Sequence, residues 1–272
     1  MHNVIYNNKI ILADTLKLSV TNRAFLYGDG LFESIKVING KVFHFEAHYA
    51  RILAAANCLM LHFDYSERAI LTKINQLLKI NKINAGGRIR ITVYRDTTGK
   101  FLPDSNDTSF IIQAEKDNMN GFDINDKGLN LGWYNQQLKS TSTYSNFKTI
   151  NALPSVLGAV YARSNSYDDV ILFNTENTPI ESTNANLFIV KDNTIFTAPL
   201  SSGCVDGTMR KLVMSLKKVT TKHLTKEMIL NADEVFLTNA IQGIKLVKFL
   251  EGNRYNTHEK AIELISKIST LI

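Results

Sequence analysis

"NRAFLYGDGLFESIKVINGKVFHFEAHYARI", residues 22–52, changes its hydrophobic period midway. Through "GLFESIKV" the period is two, which puts Phe32, Ser34 and Lys36 on one face of a strand and Leu31, Glu33, Ile35 and Val37 on the other. Asn39-Gly40 then supplies the two positive-φ residues of a tight hairpin between apolar runs. From Phe45 onward "FEAHYARILAAANCLML" carries helical spacing. A strand, a two-residue turn and a helix in direct succession predict an α+β arrangement rather than a regular βαβ repeat.

Upstream, "VIYNNKIIL" reads as two short strands around Asn7-Asn8. Downstream, Ser66 caps a second helix, "ERAILTKINQLLKI", and "NAGG" turns the chain into two further strands, "RIRITVYR" and "SFIIQAE". The polar stretch "KDNMNGFDINDKG" that follows has linker character. The expected organisation is therefore a small N-terminal domain over 1–115, a linker over 116–125 and a larger domain over 126–272. The last element, "THEKAIELISKISTLI", reads as a docked helix capped by Thr257, with Ala261, Ile265, Ile268 and Ile272 on its buried face.

Composition narrows the function classes. At 272 residues and 44% hydrophobic, the chain can bury a substantial core. No apolar run approaches the length of a membrane span and the first residues lack a signal-peptide pattern, so the expected location is the cytoplasm, with no membrane partner. Cys58 and Cys204 stand far apart in unlike contexts, and the six histidines are scattered, so no metal site is expected. The net charge of +6 comes from basic residues dispersed in short groups, without the aromatic-interleaved stripe of a nucleic-acid surface.

One lysine has a setting suited to chemistry. Lys148 lies between a Ser/Thr-rich stretch and a helix opened by Pro154, whose missing N–H costs nothing in the first turn. A lysine amine is nucleophilic only when neutral, which needs a fixed, partly desolvated place. On position alone, an ordinary exposed lysine near a helix start is the favoured reading.

Several blocks, in order, resolve this by resemblance. The pattern R-x-x-x-x-G-D-G-x-F-E with a closing H-x-x-R, followed by "ESTNANLFIV", "GCVDGTMRKLV" and "ADEVFLTNA", is similar to the class IV aminotransferases across almost the whole chain. That family comprises pyridoxal-phosphate enzymes of fold type IV, including branched-chain and D-amino-acid aminotransferases and aminodeoxychorismate lyase. The resemblance implies a small α+β domain, a larger domain with a barrel-like sheet, pyridoxal 5'-phosphate in the cleft between them, and a homodimer with the active site near the interface. It makes Lys148 the Schiff-base lysine and proton shuttle, and Glu181 the carboxylate against the pyridine nitrogen. It implies phosphate contacts from Arg51, from the Thr208 and Met209 amides at a helix N-terminus, and from Asn239 and Ala240. Phe32, Ser34 and Lys36 would line the substrate cavity, with Lys36 attracting a carboxylate.

Within the family the subtypes differ in what they place around the lysine. The Arg-x-His carboxylate trap of the D-amino-acid enzymes has only Lys100 and Phe101 as its counterpart, in "YRDTTGKFLPDS". The tyrosine that branched-chain enzymes place five residues after the lysine is Leu153. Asn151 in "KTIN" is similar to the lyase, although the arginine often found in the lyase loop is missing from "TGKFLP". The expected activity is thus 4-amino-4-deoxychorismate lyase, which serves folate biosynthesis, with an amino-acid aminotransferase as the alternative. A member of the fold that binds a ligand without catalysis is a third reading.

Overall fold

The computed structural model describes residues 2–272. The chain forms two compact units: one runs to Gly121 and takes in Phe147–Asn151, the other comprises Phe122–Asn146 and Ala152–Ile272.

The first unit holds β1 (Asn3–Tyr6), β2 (Lys9–Leu12), α1 (Arg23–Tyr27), β3 (Gly30–Ile38), β4 (Lys41–Val42), α2 (Phe45–Cys58), α3 (Glu67–Ile80), β5 (Gly87–Arg95) and β6 (Thr108–Lys116). Its six strands form one antiparallel sheet in the order β2-β1-β6-β5-β3-β4. Asn7, Asn39 and Gly40 have the positive φ that the hairpin turns require. Leu31, Ile35 and Val37 join Ile89, Ile91, Val93 and Phe110 in a core against α2 and α3, where Ile52, Ile70, Ile74 and Leu77 are fully buried. Each such side chain contributes about 1.5–3 kcal/mol of burial before chain entropy is set against it. Ser66 Oγ accepts the Ala69 N–H and so caps α3.

The second unit holds β7 (Leu129–Lys139), α4 (Leu153–Ser164), β8 (Asp169–Asn174), β9 (Pro179–Ser182), β10 (Asn186–Lys191), β11 (Thr194–Thr197), α5 (Thr208–Leu216), β12 (Val219–Thr221), α6 (Lys226–Leu230), β13 (Glu234–Asn239), β14 (Gly243–Leu250), β15 (Asn253–Arg254) and α7 (Glu259–Ser269). The strand order β10-β13-β14-β7-β8-β9 returns to β10 through a β9–β10 pairing, so six strands close into a barrel. The closing contact is Glu181 opposite Asn186. Leu187, Ile189, Val235, Leu237 and Val247 lie together in the apolar core. The neighbouring register pairs Asn186–Thr238 and Phe188–Phe236 take the other face, and the two phenyl rings stack at 5.0 Å.

Three details depart from the sequence expectations. β6 continues to Lys116 and the first unit ends at Gly121, so the stretch 116–125 is not all linker. The segment carrying Lys148 goes with the first unit, although its position in the chain suggests the second, because its backbone pairs with the start of β3. Thr257 does not cap α7: its hydroxyl donates to the Asp233 carbonyl, while the Glu234 carboxylate accepts the Lys260 and Ala261 amides. A carboxylate at a helix N-terminus satisfies those amides and meets the positive end of the dipole. Ala261, Ile265 and Ile268 are buried with Leu264, whereas Ile272 is exposed.

Candidate active site

Residues 148–150 run antiparallel to the start of β3. The Phe32 amide donates to the Lys148 carbonyl at 2.8 Å, Ile150 N to Gly30 O at 3.0 Å, and Leu31 bridges Thr149. Two glycines of the "GDG" motif make this approach possible. A Cβ on Gly30 would lie 2.5 Å from the Val93 carbonyl oxygen and 2.8 Å from the Ile150 side chain. Gly28 ends α1 in the left-handed region, φ +64°, with Asn151 Oδ1 2.5 Å from where its Cβ would be. The Asn151 amide donates to Gly28 O, so this residue ties the lysine segment to β3. Half-buried Lys148 places its Nζ 4.5 Å from the centre of the Phe32 ring. The arginine and aspartate of the same motif are a scaffold: Asp29 accepts from both Arg23 and Arg95, and Arg23 also donates to the Gly99 and Lys100 carbonyls.

Glu33 points to the other face of β3, toward α2. Its carboxylate takes Arg51 Nε at 2.6 Å, Arg51 Nη2 at 2.8 Å and His48 Nδ1 at 2.7 Å. His48 and Arg51 fall three residues apart on one side of the helix, which brings both to one carboxylate. Burial by itself would push the Glu33 carboxyl up, but the Arg51 charge and the hydrogen bonds from His48 and Arg51 hold it down at about 2. Burial pushes His48 below its ordinary value, against the opposing pull of Glu33. Arg51 is therefore fixed in place, 5% exposed, by a bidentate partner that sequence reading did not single out.

The second unit assembles a different group. Glu181, Asn186 and Thr238 share one face of the barrel through the pairings Glu181–Asn186 and Asn186–Thr238. Glu181 and Asn186 then hold the backbone of one residue between them: the Val205 N–H donates to Glu181 Oε2 at 2.8 Å, and Asn186 Nδ2 donates to Val205 O at 2.7 Å. Lys139 donates to Glu181 Oε1. Each carboxylate oxygen thus receives one donor and has a lone pair left for another. This clamp orients the loop leading into α5, whose N-cap Gly207 has no side chain to close the helix end. Thr208 and Met209, both buried, form the first turn. Thr238 Oγ1 is buried and lacks a partner. Asn239 folds its Oδ1 back on the Ile241 and Gln242 amides, which shapes the turn holding Ala240. Cys204 is buried nearby; desolvation, with the Glu181 charge, raises its thiol to about 11, so it is protonated and inert at neutral pH.

Of the expected substrate residues, Phe32 meets Lys148, Ser34 accepts from Arg88, and Lys36 is buried with its ammonium 2.7 Å from Asp117. Lys36 is neither a solvated strand lysine nor a free anion partner. Asp117 sits 81 positions away, so no local signal announces the pair.

A family model described as Amino-transferase class IV matches residues 30–248. D-alanine aminotransferase of Staphylococcus haemolyticus is 25% identical over 267 residues, covering 93% of this chain and 91% of its own. Aminodeoxychorismate lyase of Vibrio harveyi is 27% identical over 230 residues, covering 82% and 83% respectively. Among solved structures, the branched-chain aminotransferase of Thermoproteus uzoniensis superposes with a TM-score of 0.91 at 21% identity, over 99% of this chain and 94% of that one, a likeness of fold.

Proposed function

Because this chain belongs to the amino-transferase class IV family, whose members are pyridoxal-phosphate enzymes, we propose that it is a 4-amino-4-deoxychorismate lyase with Lys148 as its reactive amine. The residues present fit the cofactor. At Gly207 the backbone lies bare against Asn186, whose Oδ1 a Cβ would meet at 2.0 Å; α5 begins without a side-chain cap, and Thr238 Oγ1 is a buried hydroxyl lacking a partner. These groups would hold the phosphate, and Glu181 would face the ring nitrogen.

When bound, pyridoxal phosphate supplies an aldehyde for an amine and a ring that withdraws electrons from the carbon beside it. Lys148 Nζ would take the proton from the substrate carbon that bears the amine and return it to the departing enolpyruvate, which becomes pyruvate. The carbon–oxygen bond to the enolpyruvyl group breaks, the six-membered ring becomes aromatic, and pyruvate and 4-aminobenzoate leave. Glu181, held by Lys139 and the Val205 amide, keeps the negative charge that a neutral amide would not supply.

The lyase reading over transamination rests on the loop over residues 96–104. It presents exposed Lys100 and Phe101, and its one buried guanidinium partner, Arg23, is engaged by Asp29 and by backbone carbonyls, so it offers no arginine–histidine pair to an amino acid's carboxylate. Transamination stays as the second reading because the D-alanine aminotransferase match covers 93% of the chain against 82% for the lyase. A homodimer accompanies either reading; Leu153, Val156, Leu157 and Val160 form an exposed apolar row on α4 that suits a second copy.

Incubating the purified protein with pyridoxal phosphate and then with borohydride tests the first claim. A visible or near-ultraviolet band that borohydride bleaches, lost in Lys148→Ala, is expected. Supplying aminodeoxychorismate should then release 4-aminobenzoate. Glutamate formed from amino acids and 2-oxoglutarate, without 4-aminobenzoate, would replace the lyase by the aminotransferase.

A further inference from the structure

The register of β3 against β5 pairs Ser34 with Arg90 and Lys36 with Arg88. Opposed residues of an antiparallel pair share a face, so both arginines lie on the Phe32 face, away from the apolar core and within the first unit that also carries Lys148. The Arg90 guanidinium carbon stands 4.0 Å from the centre of the Phe32 ring, and Lys148 Nζ stands 4.5 Å from the same centre. Arg88 Nη2 donates to Ser34 Oγ at 3.3 Å, while its Nε is buried and meets no acceptor.

Three cations therefore crowd one sheet face, and only Lys36 is in an ion pair, with Asp117. Among the described residues neither Arg88 nor Arg90 forms a salt bridge; the nearest acidic register partner, Glu115 opposite Arg88, is exposed. Burial and the neighbouring Arg88 charge push Arg90 below its ordinary value, against Glu115. Desolvating two like charges side by side is unfavourable unless an anion completes the arrangement. The planar forks suit a carboxylate, and Phe32 and Ser34 already restrict them.

We infer that Arg88 and Arg90 receive a carboxylate of the substrate that is separate from the carbon reacting at Lys148. This rests on Lys148 being the reactive amine. It narrows the substrate class to amines with a distal carboxylate, whether an acyclic dicarboxylate or a cyclohexadiene acid, and rejects purely aliphatic monocarboxylates.

Glutarate and butyrate, with two carboxylates and one, are the probes, titrated calorimetrically into the pyridoxal-phosphate-loaded protein. Glutarate should bind about tenfold tighter or more, the factor for a charge-assisted hydrogen-bonded contact. Arg90→Gln with Arg88→Gln should abolish the preference while the borohydride-sensitive band persists; Arg90→Lys, which keeps charge but not the fork, should retain part of it. Equal binding of the two probes by wild-type protein that shows the band would overturn the inference and leave the functional reading intact. Absence of the band would overturn both.

Discussion

Glu181 and Asn186 face each other at the seam of the barrel, and both bind the Val205 backbone, Glu181 at its N–H and Asn186 at its carbonyl. The pairing that closes the sheet thus also fixes the carboxylate. Replacing Glu181 with Gln keeps an acceptor for the Val205 N–H but removes the charge. Turnover should fall roughly 100-fold or more, as for loss of a preorganised electrostatic partner, with the melting temperature lowered by only a few degrees. Wild-type turnover in Glu181→Gln, measured at saturating cofactor, would remove Glu181 from the chemistry.

Gly207→Ala is expected to act through one named neighbour. The new Cβ would fall 2.0 Å from Asn186 Oδ1, although the backbone there, φ −64° and ψ 137°, accommodates any residue. Displacing Asn186 breaks its bond to Val205 O, at about 1–3 kcal/mol. In an Asn186→Ala background the same change should cost little. Urea unfolding of the four proteins gives the cycle, and additive costs would contradict the clash.

Acid sensitivity should originate in α2 and β3. Glu33 titrates near 2 in the folded protein against 4.5 when unfolded, so the stability it contributes is present above pH 4.5 and lost as pH falls toward 2. That contribution is about 3 kcal/mol. His48 adds to the same trend at higher pH: its folded value is lowered from 6.5, so its contribution is present above pH 6.5 and declines below it. Glu33→Gln should flatten urea midpoints between pH 4.5 and 2, and should also leave Arg51 buried without its partner, at about 3–5 kcal/mol. A midpoint curve with unchanged slope would refute the assignment.

Gly30→Ala should be worse than Gly28→Ala. At Gly30 the obstacle is the Val93 carbonyl, which belongs to the sheet backbone and cannot turn aside. At Gly28 it is the Asn151 side chain, which can rotate, leaving mainly the left-handed strain of about 1–2 kcal/mol. Because Ile150 bonds to Gly30 O, the Gly30 variant should also lose cofactor binding, read by the visible band. Equal behaviour of the two variants would weaken the close-packing account.

Local signals carried much of this architecture into the sequence. The Asn39-Gly40 turn, the alternation along β3 and the span Glu67–Ile80 of α3 are set by nearest neighbours and period, and the structure has them where those signals stand. What escaped depends on partners distant in the chain. Arg88 and Arg90 look like the polar half of an ordinary strand until the register with Ser34 and Lys36 is known. Glu33 reads as part of a motif, and its grip on Arg51 appears only when β3 packs on α2. Adjacency points to Thr257 as the α7 cap, whereas Glu234, remote in sequence, takes that place.

Phe147–Asn151 belongs to the first unit while the residues on either side belong to the second. The two units are therefore not a tandem pair that a gene could exchange as cassettes. Cutting the coding sequence at Gly121 would deliver Lys148 on the wrong fragment, and any recombination of halves between relatives must carry that five-residue ribbon along with the strand it borders.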